Sequence, residues 1–297
     1  MKGQSKNSAE VENSLPDYLF HANFIEIDDV NLHYIDEGSK TAPVILFLHG
    51  VPTWSFTFRK IFPECLAAGY RIVAPDLPGF GRSDKPGDPD FYSISNLVEV
   101  VGKFIQQKKL QRVFLFAHDW GAIIGMVLAA KHPACFSGII VCNGYLPDLN
   151  VAIPPAFRSW RLFCKYSPVL PVGRIIDFAS NRKLLPAERK AYDFPFKTSK
   201  DKIAVRTLPQ LIPVIKSSRD GDLVDECWRK LEQLEQPFLT VFSNRDKITR
   251  GGEILLQQRI PGAKNQAHKI LNGRHFLQED ALAELGVIIT EFVKKYR

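Results

Sequence analysis

Short, unbroken apolar runs recur along the chain, separated by stretches with helical spacing of their hydrophobic positions. Val44–Leu48, Arg71–Pro75, Val113–Phe116, Gly138–Cys142 and Phe238–Phe242 have the length of strands. They lack polar alternation, as expected of strands covered on both faces. Phe24–Ile27 and Leu32–Ile35 flank Asp28-Asp29-Val30-Asn31 and read as a β-hairpin. Ala122–Ala130 reads as a helix, Ala267–Leu271 as a last strand and Leu282–Tyr296 as a closing helix. Strands alternating with helices predict an α/β fold, a mostly parallel central sheet flanked by helices.

The alternation stops between Tyr145 and Lys230, a stretch rich in proline, arginine and aromatics that reads as short helices. An insertion followed by a return to the sheet implies a helical cap over the strand ends, the edge where open α/β sheets bind ligands. The expected organisation is a flexible tail over 1–16, a main domain over 17–144 and 231–297, and an inserted helical cap domain over 145–230.

Composition narrows the function only by exclusion. The 39 basic and 32 acidic residues leave a net charge of +7. The cations are scattered, with no basic stripe interleaved with aromatics, so nucleic acid is not an expected partner. Cys65, Cys135, Cys142, Cys164 and Cys227 are odd in number and lack metal-type spacing, and they read as thiols in a reducing compartment. No apolar stretch is long enough to cross a membrane, and the polar N-terminus lacks a signal-peptide core. The expectation is a cytoplasmic protein with no membrane partner.

The chemistry centres on Ala117-His118-Asp119-Trp120-Gly121, between a predicted strand and a predicted helix. Small-x-nucleophile-x-small at such a junction is a nucleophile elbow, with aspartate in the nucleophile slot. A carboxylate is poorly suited to attacking a carbonyl, but it can displace a leaving group from saturated carbon and form an ester of the enzyme. The ordinary alternative is an N-cap, a common role for aspartate before a helix. The rest of the chain argues against it. Asp246 follows the strand at Phe238–Phe242, and His275 follows the last strand, giving the order nucleophile, acid, base. Taken alone, Asp246 reads equally as a solvated turn carboxylate. Asn143 stands after the strand preceding the insertion, and Asp148 is the nearest carboxylate there, so Asp246 is the better candidate acid.

His49-Gly50-Val51-Pro52 follows a strand about seventy residues before the elbow. The amides of Val51 and Trp120 are the candidate oxyanion hole. Trp120 also offers an indole N–H, a donor without an acceptor, suited to a departing halide. Trp160 reads either as packing within the insertion or as a second halide donor, and spacing does not choose. Trp54 and Trp228 read as structural. Water activation falls to His275, so no metal or cofactor is called for.

At this point the chain resembles the haloalkane dehalogenases of the α/β-hydrolase superfamily, from about Leu15 to its end. The resemblance is carried by His49-Gly50-x-Pro52-Thr53-Trp54-Ser55, Ala74-Pro75-Asp76-Leu77-Pro78-Gly79-Phe80-Gly81-Arg82-Ser83-Asp84, Asp119-Trp120-Gly121, Ala156-Phe157-x-x-Trp160, Ala191-Tyr192-Asp193-x-Pro195-Phe196 and His275-Phe276-Leu277-Gln278-Glu279. It implies hydrolysis of a small apolar halogenated substrate to alcohol and halide. Asp119 would be the nucleophile, His275 the base and Asp246 the acid. Trp120 and Trp160 would be halide ligands, as in the subgroup with a tryptophan in the cap. Two positions depart from that subgroup. Val51 stands where a polar side chain is usual, which predicts slowed hydrolysis of the alkyl-enzyme. His118 stands where glutamine is usual and reads as a bystander packed beneath the elbow. The rival readings are an epoxide hydrolase, drawing on Tyr145, Tyr166 or Tyr192, and an impaired or repurposed scaffold.

Overall fold

The computed structural model describes residues 15–149, 151–212 and 215–297. Most of the tail expected over 1–16 lies outside the described residues, while Leu15 is buried in the core. Eight described strands form one sheet, β1 (Asn23–Ile27), β2 (Val30–Glu37), β3 (Val44–Leu48), β4 (Arg71–Pro75), β5 (Val113–His118), β6 (Phe136–Cys142), β7 (Phe238–Ser243) and β8 (Lys269–Leu271). Their spatial order is β1-β2-β4-β3-β5-β6-β7-β8. β1 and β2 pair antiparallel, as do β2 and β4, and all other neighbours are parallel. This is the mostly parallel sheet that the apolar runs predict, and every residue of β4 and β5 is buried.

Two expected strands differ at their ends. The hairpin turn is only Asp28-Asp29, because Val30 pairs with Ile27 and is buried, which draws it into β2. β8 begins at Lys269 rather than Ala267. The His268 ring accepts the Thr240 N–H and donates to the Ala263 carbonyl, taking a bond on the β7 edge that a longer strand would need.

Helices α1 (Phe62–Ala67) and α11 (Leu282–Tyr296) pack together against the sheet. A second layer holds α2 (Ile94–Gln107), α3 (Trp120–Lys131) and α8 (Gly221–Leu231). α3 is buried along nearly its whole length, which explains why its sequence is apolar all round rather than striped. Ser93 caps α2 through the Asn96 N–H. Between β6 and β7 the chain runs through α4 (Pro155–Tyr166), α5 (Val172–Phe178), α6 (Pro186–Asp193), α7 (Ile203–Thr207) and then α8. Helix α9 (Gly252–Arg259) follows β7, and α10 (Leu277–Asp280) precedes α11. Among the described residues no helix is long and apolar enough to cross a membrane.

The strand order reverses at one place. From β3 the chain steps outward to β4, while β5 onward lies on the other side of β3. The C-terminal ends of β3 and β5 therefore open a crevice at a topological switch point.

Candidate active site

Leu48 pairs with Ala117, so the chain leaves β3 and β5 side by side through His49-Gly50 and His118-Asp119. A Cβ on Gly50 would stand 2.5 Å from the Asp119 Cβ, so a side chain there would force the two turns apart. A Cβ on Gly121 would collide with the Leu48 carbonyl. Small residues around the elbow thus let α3 start directly against the sheet.

Asp119 itself has φ +50 and ψ −117, a conformation costly for a residue with a side chain. Its side chain makes no capping bond to α3, so the N-cap alternative does not describe it. Instead Oδ1 accepts the Val51 N–H at 2.8 Å. Trp120 is the first residue of α3, and its N–H has no carbonyl within the helix to donate to. Both expected oxyanion donors therefore border the nucleophile's turn.

His275 Nε2 lies 3.5 Å from Asp119 Oδ2, and its Nδ1 lies 3.0 Å from Asp246 Oδ2. Asp246 also accepts the Ile248 N–H at 2.8 Å and the Thr249 hydroxyl. The three residues picked out by chain order are thus brought into one line. Asp148, the discarded candidate, pairs with Arg259.

Burial disfavours the charged form of all three, and their mutual attraction outweighs it. Burial depresses the His275 pKa, but the Asp246 charge and the bonds to both carboxylates push it up to about 10. Burial also works against the Asp246 carboxylate, yet the His275 charge and bonds from His275 and Thr249 hold it at about 2. Asp119 is held below its ordinary value despite burial, chiefly by His275. The free site is an imidazolium between two carboxylates.

The backbone of His275 is held as firmly as its ring. His118 Nε2–H and Asn143 Nδ2–H both donate to the His275 carbonyl at 2.9 Å. A carbonyl only accepts, so His118 is the Nε2–H tautomer. Burial and the neighbouring His275 charge lower its pKa to about 4, keeping it neutral. The two Nδ2 hydrogens of Asn143 are shared among the His275 and Arg274 carbonyls and Ser243 Oγ, and its Oδ1 accepts the Ser243 N–H. In the sequence Asn143 stands out only as a residue without a carboxylate at a place where an acid could stand. Its position at the end of β6, level with the elbow, was the available signal.

A cavity of about 50 Å³ adjoins Asp119 and Trp120, walled mainly by Ile123, Pro147, Ile153, Phe157, Ile212 and Ile248. Its lining is mostly hydrocarbon, as suits an apolar ligand. Trp160 is not among the lining residues. It is half-buried and its ring stacks on Phe163 at 6.1 Å. Of the three tyrosines considered for epoxide opening, Tyr145 lines the cavity. Tyr166 is exposed, and Tyr192 is buried with its hydroxyl on Glu279. Trp228 donates to the Pro147 carbonyl at 2.9 Å, in keeping with its structural reading.

The model of the alpha/beta hydrolase fold family matches residues 43–282. A haloalkane dehalogenase of Mycobacterium marinum is 39% identical over 278 residues, covering 92% of this chain and 94% of that protein. One from Psychrobacter cryohalolentis is 37% identical, covering 94% of each. The tetrameric haloalkane dehalogenase structure from Paraglaciecola agarilytica superposes with a TM-score of 0.84 at 28% identity, covering 95% of each chain. With its elbow, its crevice and these relatives, the chain belongs to the α/β-hydrolase fold family and, within it, to the haloalkane dehalogenases.

Proposed function

We propose that the protein hydrolyses carbon–halogen bonds of short haloalkanes through an ester on Asp119. The observation that carries this reading is the Asp119–His275–Asp246 line beside an apolar cavity. Asp119 Oδ2 attacks the halogenated carbon. A C–O bond forms as the C–X bond breaks, and the halide leaves with the bonding electrons. The Trp120 indole N–H, at the cavity wall, stabilises the departing halide. Oδ1, held by Val51, becomes the ester carbonyl oxygen.

Alkylation cancels the charge on Asp119. His275 then loses one of the two carboxylates that keep it protonated, so its pKa falls and the neutral imidazole becomes available as a base. It takes a proton from water as that water attacks the ester carbon. The amides of Val51 and Trp120 hold the oxyanion, and Asp246 stabilises the imidazolium. Collapse releases the alcohol and restores the carboxylate.

The cavity bounds the substrate. Its hydrocarbon walls suit a small apolar halide, and 1,2-dibromoethane is a suitable probe. Helices α4 to α7 serve as the cap, with Phe157 at the cavity wall, and the expected cap boundary at 230 falls too late because α8 already packs on α3 in the layer beside the sheet. Trp160 as the second halide ligand is the finer part of the reading. It stands one turn after Phe157 on α4 and outside the cavity lining, so a halide contact requires the indole to leave its stack on Phe163.

Halide release from 1,2-dibromoethane, measured beside Asp119→Ala, tests the activity. Release over many turnovers by the parent alone is expected, and equal release by both proteins overturns it. Trp160→Phe is expected to slow turnover, and an unchanged rate leaves Trp120 as the halide donor without it.

A further inference from the structure

Helix α4 has an apolar arc wider than its packing uses. At 100° per residue, Phe157 and Cys164 fall on one side and Leu162 and Tyr166 on the opposite side. Cys164 is fully buried, and Arg206 and Gln210 tie the inner side down through backbone carbonyls of α4. The outer side is open: Leu162 is 59% and Tyr166 69% exposed, and Phe163 and Val169 continue the same apolar surface.

Charge on this segment has one sign. Residues 149–176 contain Arg158, Arg161, Lys165 and Arg174 and no aspartate or glutamate. Arg158, Arg161 and Lys165 fall on one flank of the apolar arc, and the Lys165 ammonium lies 5.2 Å from the centre of the Tyr166 ring. Exposed Leu, Phe and Tyr beside a purely cationic flank form the amphipathic pattern of a helix that lies in a membrane interface.

We propose that the outer face of α4 docks on an anionic lipid surface. The apolar arc would enter the headgroup boundary while Arg158 and Lys165 meet lipid phosphates. This departs from the expectation of no membrane partner, which rested on the lack of a spanning segment. A second copy of the chain fits this face less well. A two-fold contact through Leu162 and Tyr166 would bring like cations together, with no acid in the segment to pair them. Docking would hold the cavity one helix diameter, ~10 Å, from the bilayer, since Phe157 lines it from the inner side of α4. Supply of haloalkane from the bilayer rests on the activity proposed above. Vesicle binding is read without substrate, so the two ideas fail separately.

The test is co-sedimentation of the full chain with vesicles of phosphatidylglycerol and phosphatidylcholine, beside pure phosphatidylcholine. Binding to the anionic vesicles only, lost at high salt, is expected. Arg158→Ala with Lys165→Ala is expected to weaken binding about 25-fold, at about fivefold per cation. Leu162→Ser with Tyr166→Ser is expected to abolish it. All four positions are outside the catalytic line, so halide release from dissolved 1,2-dibromoethane checks that the variants fold. A parent protein that stays in the supernatant overturns the proposal, as does equal binding by the Leu162→Ser, Tyr166→Ser variant. An oligomer that this variant dissociates overturns it in favour of self-association.

Discussion

The backbone N–H of His275 donates to the carbonyl of Ala179, 3.1 Å away across the boundary between the sheet and the inserted helices. The loop carrying the base is therefore fixed from two sides. His118 and Asn143 hold its carbonyl from the sheet edge, and the end of α5 holds its amide. Asp280 strengthens the second attachment by accepting the N–H groups of Asn181, Arg182 and Arg274.

Asp280→Ala removes that staple without touching the cavity. The ring of His275 is then expected to drift relative to the ester, slowing alkyl-enzyme hydrolysis about ten- to a hundredfold. Alkylation, which needs only Asp119 and the halide donors, is expected to keep its rate. Stopped-flow halide release separates the steps. A slowed first phase would show that Asp280 serves general stability rather than base placement.

The pKa pattern predicts opposite stability trends at the two ends of the pH scale. His275 is raised from 6.5 to about 10. Its contribution is complete below pH 6.5 and is lost as pH rises toward 10. Asp119 and Asp246 are lowered from 3.8, so their contribution is present above pH 4 and is lost as pH falls. Melting temperature is therefore expected to fall between pH 7 and 10 in the parent and to change less in His275→Gln. Kinetically, hydrolysis of the alkyl-enzyme is expected to follow a pKa well below 10. A hydrolysis rate still climbing at pH 10 would contradict the loss of the Asp119 charge as the activating event.

Asn143→Ala unties two loops at once. It leaves the partly buried Ser243 N–H without its acceptor and removes one donor from the His275 carbonyl. A loss of about 2 kcal/mol of stability is expected from the unsatisfied groups, together with a lower kcat. Denaturant unfolding and steady-state kinetics measure the two effects. A normal kcat in a destabilised protein would confine Asn143 to a structural role.

How legible each feature was follows from the kind of bond that makes it. β4 and β5 were readable because strands buried on both faces must be apolar throughout. Asp119, Asp246 and His275 were readable because each stands just past a strand end, and parallel strands deliver those ends to one edge. The Ala179 contact was not readable. It is made by backbone groups, and no side-chain pattern marks which carbonyl will face a given N–H. The same holds for Asn143, whose partners are carbonyls of a loop more than a hundred residues away. The orientation of Trp160 was equally hidden, since helical spacing fixes its side of α4 and not what that side meets.

Val51, whose N–H meets the Asp119 carboxylate, carries a hydrocarbon side chain and so has no side-chain polar group to offer the water that the second chemical step needs. Val51 is almost fully buried. The water must therefore be oriented by His275 without a side-chain partner from Val51. Losing one hydrogen bond of about 1.4 kcal/mol corresponds to a rate about tenfold lower. Hydrolysis then lags behind alkylation, and the enzyme accumulates as its ester. A burst of about one halide per enzyme, ahead of a slower steady phase, is the expected trace. Mass spectrometry of the quenched protein is expected to show the alkyl adduct on Asp119. Val51→Asn supplies a polar group at the same place while keeping the backbone N–H, and is expected to shrink the burst by raising the slow phase. A linear trace from the parent would mean that His275 alone orients the water well enough, and that valine at position 51 costs the second step nothing.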